Sequence, residues 1–98
     1  RGYMRITWNK IKNAINLKKH GIDFEIAQLV FDDPCHLSEQ DRIEGKEYRW
    51  QTLGMIGDVL IMVGHNYEEN EDEEIIRIIA ARKATPKERR RYHEETHH

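Results

Sequence analysis

The chain has one cysteine, two prolines, two phenylalanines and no apolar run longer than five residues. Each scarcity excludes something. Cys35 alone cannot close an internal disulfide, and no Cys/His pair stands at zinc-ligand spacing, so neither a disulfide scaffold nor a zinc module is expected, and a reducing cytoplasm is the expected compartment. A membrane span needs about twenty consecutive apolar residues, and the longest stretch here is Val59 to Val63. No basic segment followed by an apolar one opens the sequence, which argues against secretion. Internal repeats and Ser/Pro-rich linkers are also missing. A single domain over residues 4–95 is therefore expected, with 1–3 and 97–98 set aside as tag or vector remnants. With 98 residues, 38% hydrophobic and 35% charged, the chain can bury one core without a disulfide or a structural metal.

Charge of one sign is almost absent in total and far from absent locally. Sixteen Lys and Arg against 18 Asp and Glu give −2. Six of the acids (Glu68, Glu69, Glu71, Asp72, Glu73, Glu74) fall in one run, so the rest of the chain carries +4. Lys10, Lys12, Lys18 and Lys19 form an early basic knot, and Arg77, Arg82, Lys83, Lys87, Arg89, Arg90 and Arg91 a late one. A fold that brings the knots together offers phosphate a positive field despite the bland total; otherwise they are solvated helix faces.

The pattern predicts strand, two helices, four strands and a helix. Arg5 to Trp8 is a short strand, and Asn9 caps a helix over 10–19 whose Ile11, Ala14, Ile15 and Lys18 share one face. Gly21 ends it in the left-handed conformation, after Lys18, Lys19 and His20, whose charges suit a helix C-terminus. Asp23 caps a second helix with Phe24, Ala27, Val30 and Phe31 on one face, ended by Asp32-Asp33-Pro34. His36 to Asp41 is weakly β. Tyr48, Trp50 and Thr52 alternate with Glu47, Arg49 and Gln51, Gly54 and Gly57 bracket a turn, and Val59 to Val63 reads as a central strand buried on both sides. Residues 68–74 are expected to form an exposed hairpin loop before a strand Ile75 to Ala80 interrupted only by Arg77. Thr85-Pro86-Lys87-Glu88 is a capping box with proline at the first helical position. The helix it opens, 86–95, is nearly free of aliphatic residues and is expected at the sheet edge, anchored by Tyr92.

Three stretches carry a resemblance. Trp8-Asn9 through Lys19-His20-Gly21-Ile22 and Phe24-Glu25-(x)-Ala27, then Glu47-(x)-Arg49-Trp50-(x)3-Gly54, then Ile76-Arg77-Ile78-Ile79-(x)-Ala81-Arg82-Lys83-Ala84-(x)3-Glu88-(x)3-Tyr92 together resemble the BrnT family of type II toxins. They run in order over almost the whole chain from Met4. One departure is Ala80, where the family commonly has serine. The resemblance implies an α+β, RelE-like fold, β-α-α-β-β-β-β-α, with a mainly antiparallel sheet packed against helices. It also implies mRNA endoribonuclease activity without a cofactor or metal, and neutralisation by a BrnA-like antitoxin, in a 2:2 complex that would reach operator DNA through the antitoxin.

Metal-independent RNA cleavage needs a base for the 2′-hydroxyl, cations for the pentavalent phosphorane and an acid for the 5′-oxygen. RelE-type proteins are similar in using Lys, Arg and Tyr for these tasks. Arg77 and Arg82 are the expected transition-state cations, although Arg77 could equally pair with a carboxylate such as Glu47. Lys19, His20, Glu47 and Tyr92 contend for proton transfer; helix-end charge complementarity explains the first two as well, and packing against the sheet explains Tyr92. Arg49, Trp50 and Lys83 are candidate RNA contacts, with Trp50 also suited to the core. His36 and His65 match no motif and read as surface or strand residues, and Cys35 lacks an activating cation. The acidic run would repel RNA, so it should point away from the substrate or meet a basic antitoxin segment. Two rival readings are a gyrase-blocking binding module of ParE-like type and an inactive toxin kept as a complex subunit.

Overall fold

The computed structural model describes residues 3–96; of the segments set aside as remnants, only Tyr3 falls among them. The elements are β1 (Tyr3–Trp8), α1 (Lys10–His20), a short α2 (Phe24–Ala27) that tightens into a 3-10 turn (Gln28–Asp32), β2 (Leu37–Gln40), β3 (Trp50–Ile56), β4 (Val59–Glu69), β5 (Glu73–Lys83) and α3 (Pro86–Thr96). The expected α+β order holds. The five strands lie in the order β1-β5-β4-β3-β2; β1 runs parallel to β5 and the other pairs are antiparallel.

The sheet is covered on both faces. Phe24, Ala27, Val30, Ile61, Val63, Ile78 and Ala81 form one core cluster; Leu53, Leu60, Met62, Ala84 and Tyr92 form the other. Successive residues of a strand point to opposite faces, so Leu60 to Val63 feed both clusters as their continuous apolarity predicts, whereas Val59, expected buried with them, opens the strand at the surface, 38% exposed. β3 bears the closest backbone approach: a Cβ on Gly54 would sit 2.6 Å from the Val30 carbonyl oxygen and 2.7 Å from the Val30 Cβ. Gly54 thus lies inside β3 to admit the 3-10 turn rather than bracketing the β3–β4 turn, which Gly57 makes with φ 63°.

Several local expectations are corrected by pairing between distant segments. The acidic run is mostly strand: β4 continues through Glu69, β5 starts at Glu73, and Glu68 and Glu69 face Ile75 and Glu74 across the ladder. Backbone pairing outweighs like-charge repulsion there because β1 supplies a counter-charge, Arg5, which donates two hydrogen bonds to Glu73 at 3.0 and 3.2 Å. Tyr48 precedes β3, and its ring lies over Gly64 instead of sharing a face with Trp50 and Thr52. Tyr92 packs α3 onto a sheet face rather than beside an edge.

α1 departs furthest from its pattern. Its caps form as the sequence predicts: Asn9 Oδ1 accepts from the N–H groups of Ile11 and Lys12, and Gly21 closes the helix at φ 74°. Its stripe of Ile11, Ala14, Ile15 and Lys18, however, faces outward, with Ile11 71% and Ile15 61% exposed. The buried side chain is Asn16. Its Nδ2 donates to the Ala81 and Ile22 carbonyls (2.9 and 3.0 Å), and its Oδ1 accepts from the Ala81 N–H (3.1 Å). β1 ends opposite Ile78 while β5 runs on to Lys83, so the outer edge of β5 needs a substitute partner. A carboxamide, donor and acceptor in one plane, is that substitute.

Asn16→Ala leaves the Ala81 donor and acceptor buried without partners and is expected to cost about 2–4 kcal/mol of unfolding free energy, measured by urea denaturation. Gly54→Ala must push the Val30 backbone away and is expected to cost about 1–3 kcal/mol in the same assay.

Candidate active-site groove

Arg77 stands where sheet alternation sends it. Ile76 and Ile78 are buried, and Arg77 points to the opposite face, exposed, with Thr7 and Asn66 as its ladder neighbours on β1 and β4. Among the described residues it makes no hydrogen bond or ion pair, so its guanidinium is available. It lines a cleft of about 640 Å³ with Thr7, Glu47, Arg49, Trp50 and Asn66 among the walls. A smaller recess of about 170 Å³ adjoins it through Glu47, Asn66 and Arg77, and adds Asn9, Lys12 and Ile79.

Two side chains that the motif reading passes over organise this groove. Lys12, in the first turn of α1, forms a salt bridge with Glu47 across the recess. Asn66 holds the segment before β3: its Oδ1 accepts from the Arg49 N–H at 3.0 Å, and its Nδ2 donates to the Glu47 carbonyl at 3.5 Å. Lys12 belongs to the early basic knot, so its charge was legible; its meeting with Glu47 was not, because it depends on how α1 seats against β5.

The other candidates lie elsewhere. Lys19 and His20 are exposed in the last turn of α1, roughly 11–12 Å along the axis from Lys12. Arg82 is clamped by Glu88 through two hydrogen bonds of 2.9 and 3.1 Å, while Glu88 also completes the capping box with Thr85. The Glu88 hydrogen bond holds the Arg82 pKa above its ordinary value. Burial pushes the Glu88 carboxyl up, yet the hydrogen bonds from Arg82 and the Thr85 N–H outweigh this and hold it below the usual range. Lys83 ends β5, exposed, and its carbonyl accepts from Arg82. Tyr92 is buried and donates its hydroxyl to Asp33 at 2.5 Å; burial and that bond raise its pKa. The structure therefore brings Glu47, Arg49, Trp50 and Arg77 together and seats Lys19, His20, Arg82, Lys83 and Tyr92 outside their groove.

What converges in the groove is two guanidinium groups, one ammonium and the Glu47 carboxylate, with a second carboxylate, Glu68, also lining this solvent-open trough. That set suits a phosphodiester: cations for its non-bridging oxygens, and an acid–base pair for proton movement. Against this geometry, the family model described as "Ribonuclease toxin, BrnT, of type II toxin-antitoxin system" matches residues 8–88. The chain belongs to the BrnT family. As a BrnT toxin it is a ribonuclease toxin of a type II system, and such a system supplies it with an antitoxin partner. The match extends from Trp8 to Glu88 and so takes in every groove residue named above except Thr7. No curated protein matches the chain. No helix among the described residues is long and apolar enough to cross a membrane.

One buried titratable group lies on the other face. His65 is 4% exposed; its Nε2 lies 2.7 Å from the Thr52 hydroxyl, which is 2.7 Å from the Ser38 hydroxyl. Burial lowers its pKa from 6.5 to about 4. Between those values the unfolded chain holds the extra proton, so stability falls as pH drops through this window and the contribution is complete above pH 6.5. Wild type is expected to lose about 2 kcal/mol from this group between pH 7 and pH 5. In paired urea titrations at the two pH values, His65→Gln should lose that much less than wild type.

Proposed function

We propose that this BrnT-family chain is an endoribonuclease that cleaves mRNA without a metal, by attack of the RNA's own 2′-hydroxyl, in the groove of Lys12, Glu47, Arg49 and Arg77. The observation that carries this is the juxtaposition of the unpaired Arg77 with the Lys12–Glu47 ion pair in one open recess. Arg77 and Arg49 grip the phosphate, and their charge is worth most on the phosphorane, where negative charge is greatest. Glu47 takes the 2′-hydroxyl proton as the 2′-oxygen bonds to phosphorus. Lys12 gives a proton to the departing 5′-oxygen as the P–O5′ bond breaks. The products are a 2′,3′-cyclic phosphate and a 5′-hydroxyl end. Trp50 borders the cleft, but by strand alternation it shares the face of Thr52 and His65, so a base stacked on its ring would lie away from the Arg77 face. The toxin acts in the cytoplasm and is neutralised by a BrnA-like antitoxin.

Arg77 and Arg82 separate this reading from one in which any late-strand arginine serves. Arg77→Ala is expected to lower kcat/KM for RNA cleavage at least about 100-fold with no change in Tm. Arg82→Ala should keep cleavage within severalfold and lose about 1–2 kcal/mol of stability, because it breaks the clamp on Glu88. Mapping RNA ends after induction checks the chemistry: equal cleavage by wild type and Arg77→Ala, or ends without cyclic phosphate, would overturn the proposal.

A further inference from the structure

α1 buries an asparagine and exposes isoleucines, the reverse of what a helix on a protein surface normally does. Ile11 and Ile15 are four residues apart, so they stack on one face, with Ala14 and Lys18 beside them, and all four are exposed. The cost of leaving this stripe in water is avoided only when something covers it. The sequence of the helix, KIKNAINLKKH, contains four lysines and no acidic residue. A second copy of the chain laid on this face would bring like charges together, so self-association is disfavoured. The complementary occupant has carboxylates flanking an apolar seam.

We propose that the exposed face of α1 is the docking surface for the antitoxin, which presents to it an acidic amphipathic helix of about three turns. The length follows from α1 itself, 11 residues or roughly 16 Å. The apolar seam of the partner covers Ile11 and Ile15, and its carboxylates meet the lysines. Lys12 borders the stripe and already holds Glu47 across the recess. A docked carboxylate competes with Glu47 for that ammonium and draws it out of the groove, so binding and neutralisation share one surface. This last step rests on the groove being the catalytic one; the docking itself does not.

The test is titration of the purified chain with the antitoxin encoded beside it, and with overlapping peptides that span that antitoxin. The double variant Ile11→Asp/Ile15→Asp should bind at least about 30-fold more weakly, and Lys18→Glu about tenfold more weakly. Both should keep the free toxin's RNA cleavage within twofold, because neither touches the groove. The binding peptide should be acidic. Affinity within threefold of wild type for both variants, or capture of a basic peptide instead, would overturn the proposal. Lack of RNA cleavage by the wild-type chain would count against the groove assignment alone, since the binding loss is read without it. Circular dichroism of the double variant guards against misfolding, and Lys18→Glu gives an independent reading of the same face.

Discussion

The carboxamide of Asn16 on the backbone of Ala81 is the contact from which the functional geometry follows. β5 outruns β1 by several residues, and the bare edge needs both a donor and an acceptor. Asn16 supplies both from a helix, so α1 is held against β5 as a strand would be. Seating α1 by an asparagine sets its rotation. Lys12, one turn earlier on nearly the same side, then reaches Glu47, and the isoleucine stripe is left outside. One polar contact thus places a candidate proton donor and leaves an apolar surface for a partner.

The opposite face of the sheet is divided between structure and chemistry by α3. Arg77 and Arg82 are five residues apart on β5, a separation that simple alternation would put on opposite faces. An irregularity in the β4–β5 ladder, where Gly64 faces Ala80 but His65 faces Ile78, inserts one extra residue. Arg77 then lies opposite Asn66 and Arg82 opposite Met62, on one face. Their fates differ because α3 covers only one end. There Glu88 takes Arg82, and Tyr92 ties the helix to Asp33, which also accepts from the Met55 N–H at 2.8 Å. The uncovered end keeps its cation free and becomes the groove.

Charge is handled in the same spatial way. The acids of the β4–β5 hairpin are drawn into the ladder and partly offset by Arg5. One of them, Glu68, lines the cleft with Ile75, next to the Asn66–Arg77 pair, so this part of the acidic run borders the groove instead of pointing away from it. The near-zero total therefore hides a gradient along a single strand pair.

The sequence by itself determined whatever is closed by neighbours within a few residues. The Asn9 cap, the left-handed Gly21, the Thr85–Glu88 box and the two-sided burial of Leu60 to Val63 each depend on local backbone geometry or on a period that the residues display directly. It also showed Arg77 as a charge in an apolar strand, and its family motifs marked Glu47, Arg49 and Trp50. The tertiary structure decided which of these cations stays free, that Lys12 rather than Lys19 or His20 meets Glu47, and that the apolar face of α1 looks outward. Those outcomes hang on contacts between segments far apart in the chain, on a one-residue slip in a ladder and on a strand edge left short. Periodicity carries no record of them, because a helix displays its faces in sequence but not which one its neighbours require.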